Sequence, residues 1–212
     1  MDPLRFSAEH PRDYFEQVAE LNMTTIHHGV LPRFGKPFLT QLYYELARSP
    51  RGGVWGVVED GRVLGFVAGC ADVRTTYVTV LSRAGIRLTR HAVHAALSAR
   101  FWRAVAPIVA YPFRASAPVG ANASSPAGRA ELLAIAVAAG AQGRGIGTTL
   151  IRALERELRA WGVNAPYRVA TNVQDAASNA FYKTLGFTPC GVMKHHRLTL
   201  QVYEKLITEN PA

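Results

Sequence analysis

The fold of this chain is decided by the stretch IAVAAGAQGRGIGTTLI, residues 135–151, in which a glycine-rich loop joins an apolar run to an amphipathic one. The loop holds four glycines within eight residues: Gly140, Gly143, Gly145 and Gly147. Residues 131–137 before it read as a strand, and the leucines at 150, 154 and 158 after it predict a helix with one apolar face. A glycine-rich turn between a strand and a helix lets the backbone come close to a bound anion, because a helix N-terminus attracts negative charge.

Strands and helices are predicted on both sides of this unit. Before it we predict a short strand at residues 4–8, helices at 13–27 and 37–47, and a hairpin of strands 54–59 and 62–70 joined by Asp60-Gly61. After it we predict a strand at 167–171, a short helix at 175–185 and two strands within 187–193 and 198–206. This order predicts an α/β fold with a mixed central sheet of about six or seven strands flanked by helices.

The composition is that of an ordinary globular protein. The chain has 212 residues, of which 49% are hydrophobic and 18% charged. We expect one domain over residues 1–212 with no transmembrane segment, because the longest apolar run is far short of the roughly 20 residues that span a bilayer. The N-terminus lacks a secretory signal, so a cytoplasmic location is expected. Two isolated cysteines, Cys70 and Cys190, predict free thiols and no metal site.

A strongly basic segment lies before the glycine loop. Between Asp72 and Glu131 there is no acidic residue, and eight of the nine excess positive charges of the chain lie there. These charges are the arginines at 74, 83, 87, 90, 100, 103, 114 and 129. We predict that residues 73–128 form an insertion of helix and loop between the third and fourth strands, with an apolar helical stripe at residues 93–105.

Two kinds of phosphate-binding loop can be tested against the glycine stretch. A Walker loop would need lysine at position 146 and a hydroxyl residue at 147, where this chain has Ile146 and Gly147. A dinucleotide fingerprint would need the spacing G-x-G-x-x-G near the start of the fold, whereas the glycines at 143, 145 and 147 follow G-x-G-x-G late in the chain. The first loop type is excluded and the second is poorly matched.

The remaining pattern, Q-x-x-G-x-G, is matched by Gln142, Gly145 and Gly147. With it the chain resembles the GNAT superfamily of acyl-CoA-dependent N-acetyltransferases, whose acetyl-CoA loop has this form. The stretch SNAFYKTLGF, residues 178–187, resembles the second signature of that family, a short helix that carries a tyrosine and ends in Gly-Phe. Together they cover residues 131–187, and the resemblance implies a GNAT fold and acetyl-CoA as co-substrate. Before residue 131 only the order of elements agrees.

The resemblance implies roles for particular residues. The coenzyme would be held by residues of the loop, of the strand before it and of the second signature: Ile135, Val137, Gln142, Gly143, Arg144, Gly145, Ile146, Gly147, Thr148, Asp175, Ser178 and Tyr182. A backbone N–H near Val137 or Ala138 would stabilise the oxyanion. One departure concerns Asp175, which stands where many members have asparagine and which also fits a helix cap.

Two residues are the candidates for proton transfer. Tyr182 stands where the family places its general acid, although an aromatic residue at this position of a helix could equally be part of the core. Glu131 stands where some members place the base, and it could equally be a surface acid at a strand edge. The predicted reaction is acetyl transfer from acetyl-CoA to a primary amine by direct attack in a ternary complex.

The acceptor is left open by the sequence. One hypothesis uses the arginines of the basic segment to bind an anionic acceptor, such as a nucleotide-linked amino sugar, and the other regards that segment as a solvated surface. Alternative functions are acetylation of a protein or peptide amine and a non-catalytic sensor of acyl-CoA. No nucleic-acid motif accompanies the basic segment, so no nucleic-acid partner is expected. The chain is expected to be a monomer or a homodimer.

Overall fold

The computed structural model describes residues 1–26, 35–80, 82–83, 129–195 and 198–207. The predicted apolar helix at 93–105 and most of the predicted insertion, including five of its seven arginines, lie outside these residues. Within the part that is described, no helix is both long and apolar enough to cross a membrane.

The described residues before β4 form three strands and three helices. They are β1 (Leu4–Arg5), α1 (Arg12–Thr25), α2 (Lys36–Ala47), β2 (Gly52–Glu59), β3 (Arg62–Cys70) and α3, residues 73–80. Asp60 and Gly61 both have positive φ, as a two-residue turn between right-twisted strands requires. Asp72 caps α3, because its carboxylate accepts a hydrogen bond from the Thr75 N–H at 3.1 Å.

The second half follows the predicted order. It consists of β4 (Glu131–Val137), a 3-10 turn (Ala139–Ala141), α4 (Ile146–Ala160), β5 (Tyr167–Asn172), α5 (Ala176–Thr184), β6 (Thr188–His195) and β7 (Leu198–Lys205). The predicted bounds of β3 and β4 agree with the structure. The predicted first strand is too long, since β1 pairs with β2 over only two residues.

One mixed sheet of seven strands runs through the fold in the order β1-β2-β3-β4-β5-β7-β6. All neighbouring strands are antiparallel except β4 and β5, which are parallel. The side chains of β3 alternate between two cores, as the period of a strand dictates. Val67 packs with α4 in one core, while Phe66 and Ala68 pack with α1 and α2 in the other. The predicted α/β fold with a mixed sheet and flanking helices is therefore confirmed, while the predicted insertion at 73–128 stays a prediction.

Candidate functional site

The middle of the sheet opens between β4 and β5. The two strands share a single pair, Glu131 with Arg168, which is tied by a hydrogen bond from the Arg168 N–H to the Ala130 carbonyl at 3.0 Å. Beyond it β5 continues to pair with β7 as far as Asn172, and β4 continues to pair with β3 as far as Val137. A wedge therefore opens between the two strands, and the edges that face it are not paired with each other.

A bulge in β4 accompanies this separation. On β3, Ala68 and Gly69 are consecutive, but their partners on β4 are Ala134 and Leu132, so that Leu133 is the extra residue. Bulges bend a strand and increase its local twist. The bend occurs two residues after the last contact with β5, which is where a strand must turn away from its neighbour to form a wedge.

The register with β3 decides which amides of β4 face the wedge. The Ala138 N–H donates to the Leu64 carbonyl at 2.8 Å, so it belongs to the β3 side. In an antiparallel ladder successive residues point their backbone groups to opposite sides, which turns the N–H groups of Val137 and Ile135 toward the wedge. Of the two oxyanion donors predicted from sequence, Ala138 is therefore wrong and Val137 keeps the required orientation.

The glycine loop leaves a series of backbone donors at the start of α4. Gly143 and Gly145 have φ of 77° and 76°, and Gly145 is the residue before the first turn of the helix. The first loop-helix hydrogen bond is from the Thr149 N–H to the Gly145 carbonyl at 3.1 Å. Among the described residues, no hydrogen bond uses the N–H groups of residues 143–148. Six adjacent donors at the positive end of a helix dipole form a site for an anion.

The space in front of these donors is open. A Cβ atom built on Gly143 or Gly145 has no atom within 4 Å. The side chain of Ile146 is buried in the core below, which anchors the first turn of α4. The loop therefore presents its backbone outward, and the two left-handed glycines make this conformation possible without strain.

The polar side chains of the loop bind to the protein itself. The Gln142 carboxamide donates to the Val137 carbonyl at 3.3 Å, so it holds the loop against the end of β4. Arg144 forms an ion pair with Glu59 at 3.0 Å, and this contact lowers the pKa of Glu59 and raises that of Arg144. Both of these groups are exposed, which makes the pair a weak one. In this structure the anion site consists of backbone groups.

Helix α5 lies against the first turn of α4. A Cβ on Gly147 would be 3.0 Å from two ring atoms of Phe181, so glycine is needed there for close helix packing. The neighbouring Tyr182 is buried, with ring contacts to Phe181, Phe187 and Tyr203. Ile135 and Val137 of β4 pack against the same core. Tyr182 and these two residues of β4 therefore belong to one core on the α4 side of the sheet.

The hydroxyl of Tyr182 is held in its neutral form. Burial raises its pKa well above the ordinary value, and the carboxylate of Asp175 raises it further. Within the described residues this hydroxyl makes no hydrogen bond. A neutral phenol is the protonation state that a general acid requires.

Comparison with known families agrees with this geometry. Residues 23–187, well over half of the chain, match the model of the acetyltransferase (GNAT) family. The chain belongs to the GNAT family. The predicted membership is therefore confirmed, and so is the predicted enzyme class, an acetyl-CoA-dependent N-acetyltransferase.

Solved structures share the GNAT fold over nearly the whole chain. The crystal structure of SsHAT is 20% identical, with a TM-score of 0.68 over 99% of this chain and 100% of that one. The aminoglycoside 6'-acetyltransferase type Ii is 16% identical, with a TM-score of 0.59 over all of both chains. The ribosomal-protein-S18-alanine N-acetyltransferase from Escherichia coli is 13% identical, with a TM-score of 0.56 over 98% and 96%. A search of curated proteins gives no match.

The start of α5 carries the departure from the GNAT pattern. The carboxylate of Asp175 accepts from the Ser178 N–H at 3.0 Å and from the Ser178 hydroxyl at 2.7 Å, so both side chains take part in a helix cap. The next residue, Asn179, donates to the carbonyls of Asn172 and Asp175 and accepts from the Tyr203 hydroxyl at 2.8 Å. These bonds tie α5 to the ends of β5 and β7, and so fix the position of Tyr182.

Glu131 lies at the closed end of the wedge. Glu131 is buried, with 7% of the residue exposed, so the alternative of a surface acid at a strand edge is excluded. The carboxylate raises the pKa of two neighbours beyond the effect of burial, the Cys70 thiol and the Tyr77 hydroxyl. Val137 lies six positions after Glu131, which along a strand is about 20 Å. Ile135, about 13 Å from Glu131 on the same estimate, is the nearer of the two wedge-facing donors.

The glycine loop and the wedge-facing part of β4 lie at the open end of the wedge, and the backbone of Glu131 lies at its closed end. Tyr182 belongs to the core on the α4 side of the sheet. Asn179 was not predicted from the sequence, although its place three residues before the tyrosine of the second signature was a signal. Leu133 was not predicted either, because no residue type marks a bulge.

Proposed function

We propose that this GNAT enzyme transfers the acetyl group of acetyl-CoA to a primary amine by direct attack within a ternary complex. The observation that carries the proposal is the series of backbone N–H groups at 143–148, which have no partner in the described residues and stand at the mouth of the β4–β5 wedge. The coenzyme pyrophosphate would bind there, and the pantetheine arm would lie along the free edge of β4.

The chemistry needs three groups around the thioester. The amine nitrogen forms a bond to the acetyl carbon, and the carbonyl oxygen takes negative charge that a wedge-facing N–H of β4 stabilises, with Ile135 and Val137 as the candidates. The carbon–sulfur bond then breaks, and the sulfur takes the proton of the Tyr182 hydroxyl. Burial keeps that hydroxyl protonated, and the same apolar surroundings disfavour a free thiolate, which increases its demand for the proton.

The amine must lose a proton before or during attack. An alkylamine with a pKa of about 10.4 is neutral in about one molecule in 2,500 at pH 7, which costs about 4.6 kcal/mol, whereas an α-amine with a pKa near 7.8 costs about 1 kcal/mol. Glu131 is the proposed base for an amine of the first kind. Its backbone forms the last pair before the wedge opens, and its side chain is buried beside that pair, so an ammonium group that came near would be attracted to its carboxylate.

The arginines of the basic segment support an anionic acceptor less than Glu131 supports an alkylamine. Three of the eight are described: Arg74, Arg83 and Arg129. Arg129 lies 3.8 Å from Glu204, so part of its charge is already compensated. A phosphate-bearing acceptor, such as a nucleotide-linked amino sugar, therefore remains the second hypothesis about the acceptor. A peptide amine is the third, because one structural neighbour is named for acetylating the alanine of a ribosomal protein.

The test is release of coenzyme A thiol from acetyl-CoA in the presence of four amines: an alkylamine, a phosphorylated amine, an amino sugar and a peptide N-terminus. Turnover with at least one of them is expected. Tight binding of acetyl-CoA without turnover of any amine would show a sensor instead of an enzyme.

A pair of tyrosine variants tests the role of Tyr182. We expect Tyr182→Phe to lower kcat by about 10²- to 10⁴-fold with little loss of stability, because its hydroxyl has no partner in the described residues. Tyr203→Phe, in the same core, should lose about 1 kcal/mol of stability through its bond to Asn179 and lower kcat far less than Tyr182→Phe does, because it removes only one of the bonds that position α5. Equal kcat values for the two variants would remove Tyr182 as the acid.

A further inference from the structure

A cavity of about 30 Å³ lies on the α1/α2 side of the sheet. Its described walls come from α2, α3 and β4, and its lining is almost entirely apolar. Among the described residues, the side chains that line it are those of Leu42, Tyr43, Leu46, Thr76, Tyr77, Val80, Leu133 and Ala134. We call it the α2–α3 cavity. None of its lining residues belongs to either GNAT signature.

The cavity adjoins the closed end of the wedge. Leu133, the bulged residue, and Ala134 form its β4 wall, and the same stretch of β4 borders the wedge. Both residues and Leu42 are half-buried, which leaves this wall within reach of a small molecule. A ligand in the cavity would therefore lie beside the bulge, where the free edge of β4 begins.

A carboxylate stands next to the apolar walls. Glu131 is paired with Cys70 across the strands, and residues paired in this way have their side chains on one face of the sheet. Ala68, two residues before Cys70, packs with α1 and α2, so Cys70 and Glu131 point to the cavity side. The effect of Glu131 on the pKa of Tyr77, a lining residue, agrees with this placement.

We propose that the α2–α3 cavity receives the alkyl chain of a small primary alkylamine, and that Glu131 receives its ammonium group. The proposal rests on the proposed amine acetylation and names the class of acceptor. An apolar wall disfavours a phosphate or a sugar ring, because burial of polar groups without partners costs free energy. The Tyr43 hydroxyl already accepts from Asn22 at 2.7 Å, and Thr76 bonds the Cys70 thiol. The cavity therefore selects for hydrocarbon.

The volume of the cavity limits the length of the alkyl chain that it can hold. A volume of about 30 Å³ is about two to three times what a single water needs, which is room for a short alkyl chain and too little for an aromatic ring. Affinity should rise by roughly fourfold for each methylene group that enters the cavity. Once the cavity is filled, a further methylene should bring no gain.

The experiment measures dissociation constants of ethylamine, propylamine, butylamine and hexylamine by NMR titration at pH 7, with ethanolamine and phosphoethanolamine as polar comparators. Thiol release from acetyl-CoA is measured in parallel with the same amines. The variants are Leu42→Ala, which enlarges the cavity, and Leu42→Trp, which fills it. The matched control is Leu21→Ala, a half-buried leucine of α1 that packs in the same core outside the cavity.

The expected result is a rise of affinity with chain length followed by a plateau in the unmodified protein. Leu42→Ala should move the plateau to a longer chain, Leu42→Trp should abolish the rise, and Leu21→Ala should keep the original series. The inference is overturned if affinity is independent of chain length, if the polar comparators bind as tightly, or if Leu42→Trp keeps the rise. Chain-length-dependent binding without thiol release from any amine would instead count against the proposed acetyl transfer, so the two failures are distinguishable.

Discussion

Gly145 offers the sharpest test of the coenzyme loop, because its replacement should lower the stability of the fold and weaken coenzyme binding, and the two effects can be measured separately. Gly145→Ala puts a Cβ on a residue with φ of 76°, which costs about 1–2 kcal/mol in a left-handed conformation. For a chain of this size 1 kcal/mol corresponds to about 2–4 °C in Tm, so a loss of about 2–8 °C is expected. The new Cβ would meet no protein atom within 4 Å, so it would stand in open space beside amides that are proposed to hold the pyrophosphate.

The effect on the coenzyme follows from the hydrogen bonds at risk. A bond from a backbone N–H to a charged group contributes about 1.5–3 kcal/mol. Loss of one such bond would therefore raise the KM for acetyl-CoA by about 10- to 150-fold, since 1.36 kcal/mol is a factor of ten. kcat at saturating coenzyme should change little, because no group of the proposed chemistry is altered.

Gly162 supplies the matched control. It follows the end of α4, has φ of 75°, and a Cβ built on it also meets no atom within 4 Å. Gly162→Ala should lose the same few degrees of Tm and keep the KM for acetyl-CoA. Thermal melts and initial rates of thiol release measure both quantities. An unchanged KM in Gly145→Ala, or an equal rise in Gly162→Ala, would refute the assignment of the loop as the pyrophosphate site.

Further variants test the rest of the site. Glu131→Gln should lower kcat/KM at pH 7 with an alkylamine more than with an amine of pKa near 7.8, and an equal loss for both would leave Glu131 with a structural role only. Asn179→Ala should lower both Tm and kcat, because three hydrogen bonds that fix α5 are lost. The loss of Tm should be about 2–4 °C for each kcal/mol of stability. An unchanged kcat would show that the position of Tyr182 does not depend on these bonds. Burial raises the pKa of four tyrosines in the folded chain, those at 43, 77, 167 and 182, so the folded state keeps protons that the unfolded state releases above about pH 10. Tm should therefore fall as pH rises above 10, and a constant Tm up to pH 11 would contradict the burial of these hydroxyls.

The sequence was sufficient where a local pattern and its structural consequence coincide. Strand β4 and the start of α4 are predictable because the apolar run, the glycines and the leucine stripe each determine the backbone conformation of residues close to them in the chain. The Asp60-Gly61 turn is predictable for the same reason, since both residues tolerate positive φ. These patterns define the elements and their order, and the two signatures then identify the family.

The features that required the structure depend on contacts between distant segments. The bulge at Leu133 is a mismatch of register between β3 and β4, and no single residue type determines it. The orientation of Ala138 follows from the same register, which is why the sequence could not separate it from Val137. Arg144 was predicted to bind the coenzyme, yet its side chain pairs with Glu59, 85 residues away in the chain. Exposed charges have many partners within reach, so sequence position does not decide among them.

The bulge at Leu133 lies between the two ends of the wedge, the glycine loop at one and Glu131 at the other. If the acyl group were held near Val137, Glu131 would be about 20 Å away along the strand and could not act on the amine that attacks it. The wedge, however, extends from the loop to the pair of Glu131 and Arg168, and the free edge of β4 borders it over that length. An acyl group carried beyond Val137 toward Leu133 would come within reach of both the carboxylate and the α2–α3 cavity. The depth to which the coenzyme enters the wedge therefore decides whether Glu131 acts as a base, and a Glu131→Gln variant with full activity toward alkylamines would mean that the thioester stops short of the bulge.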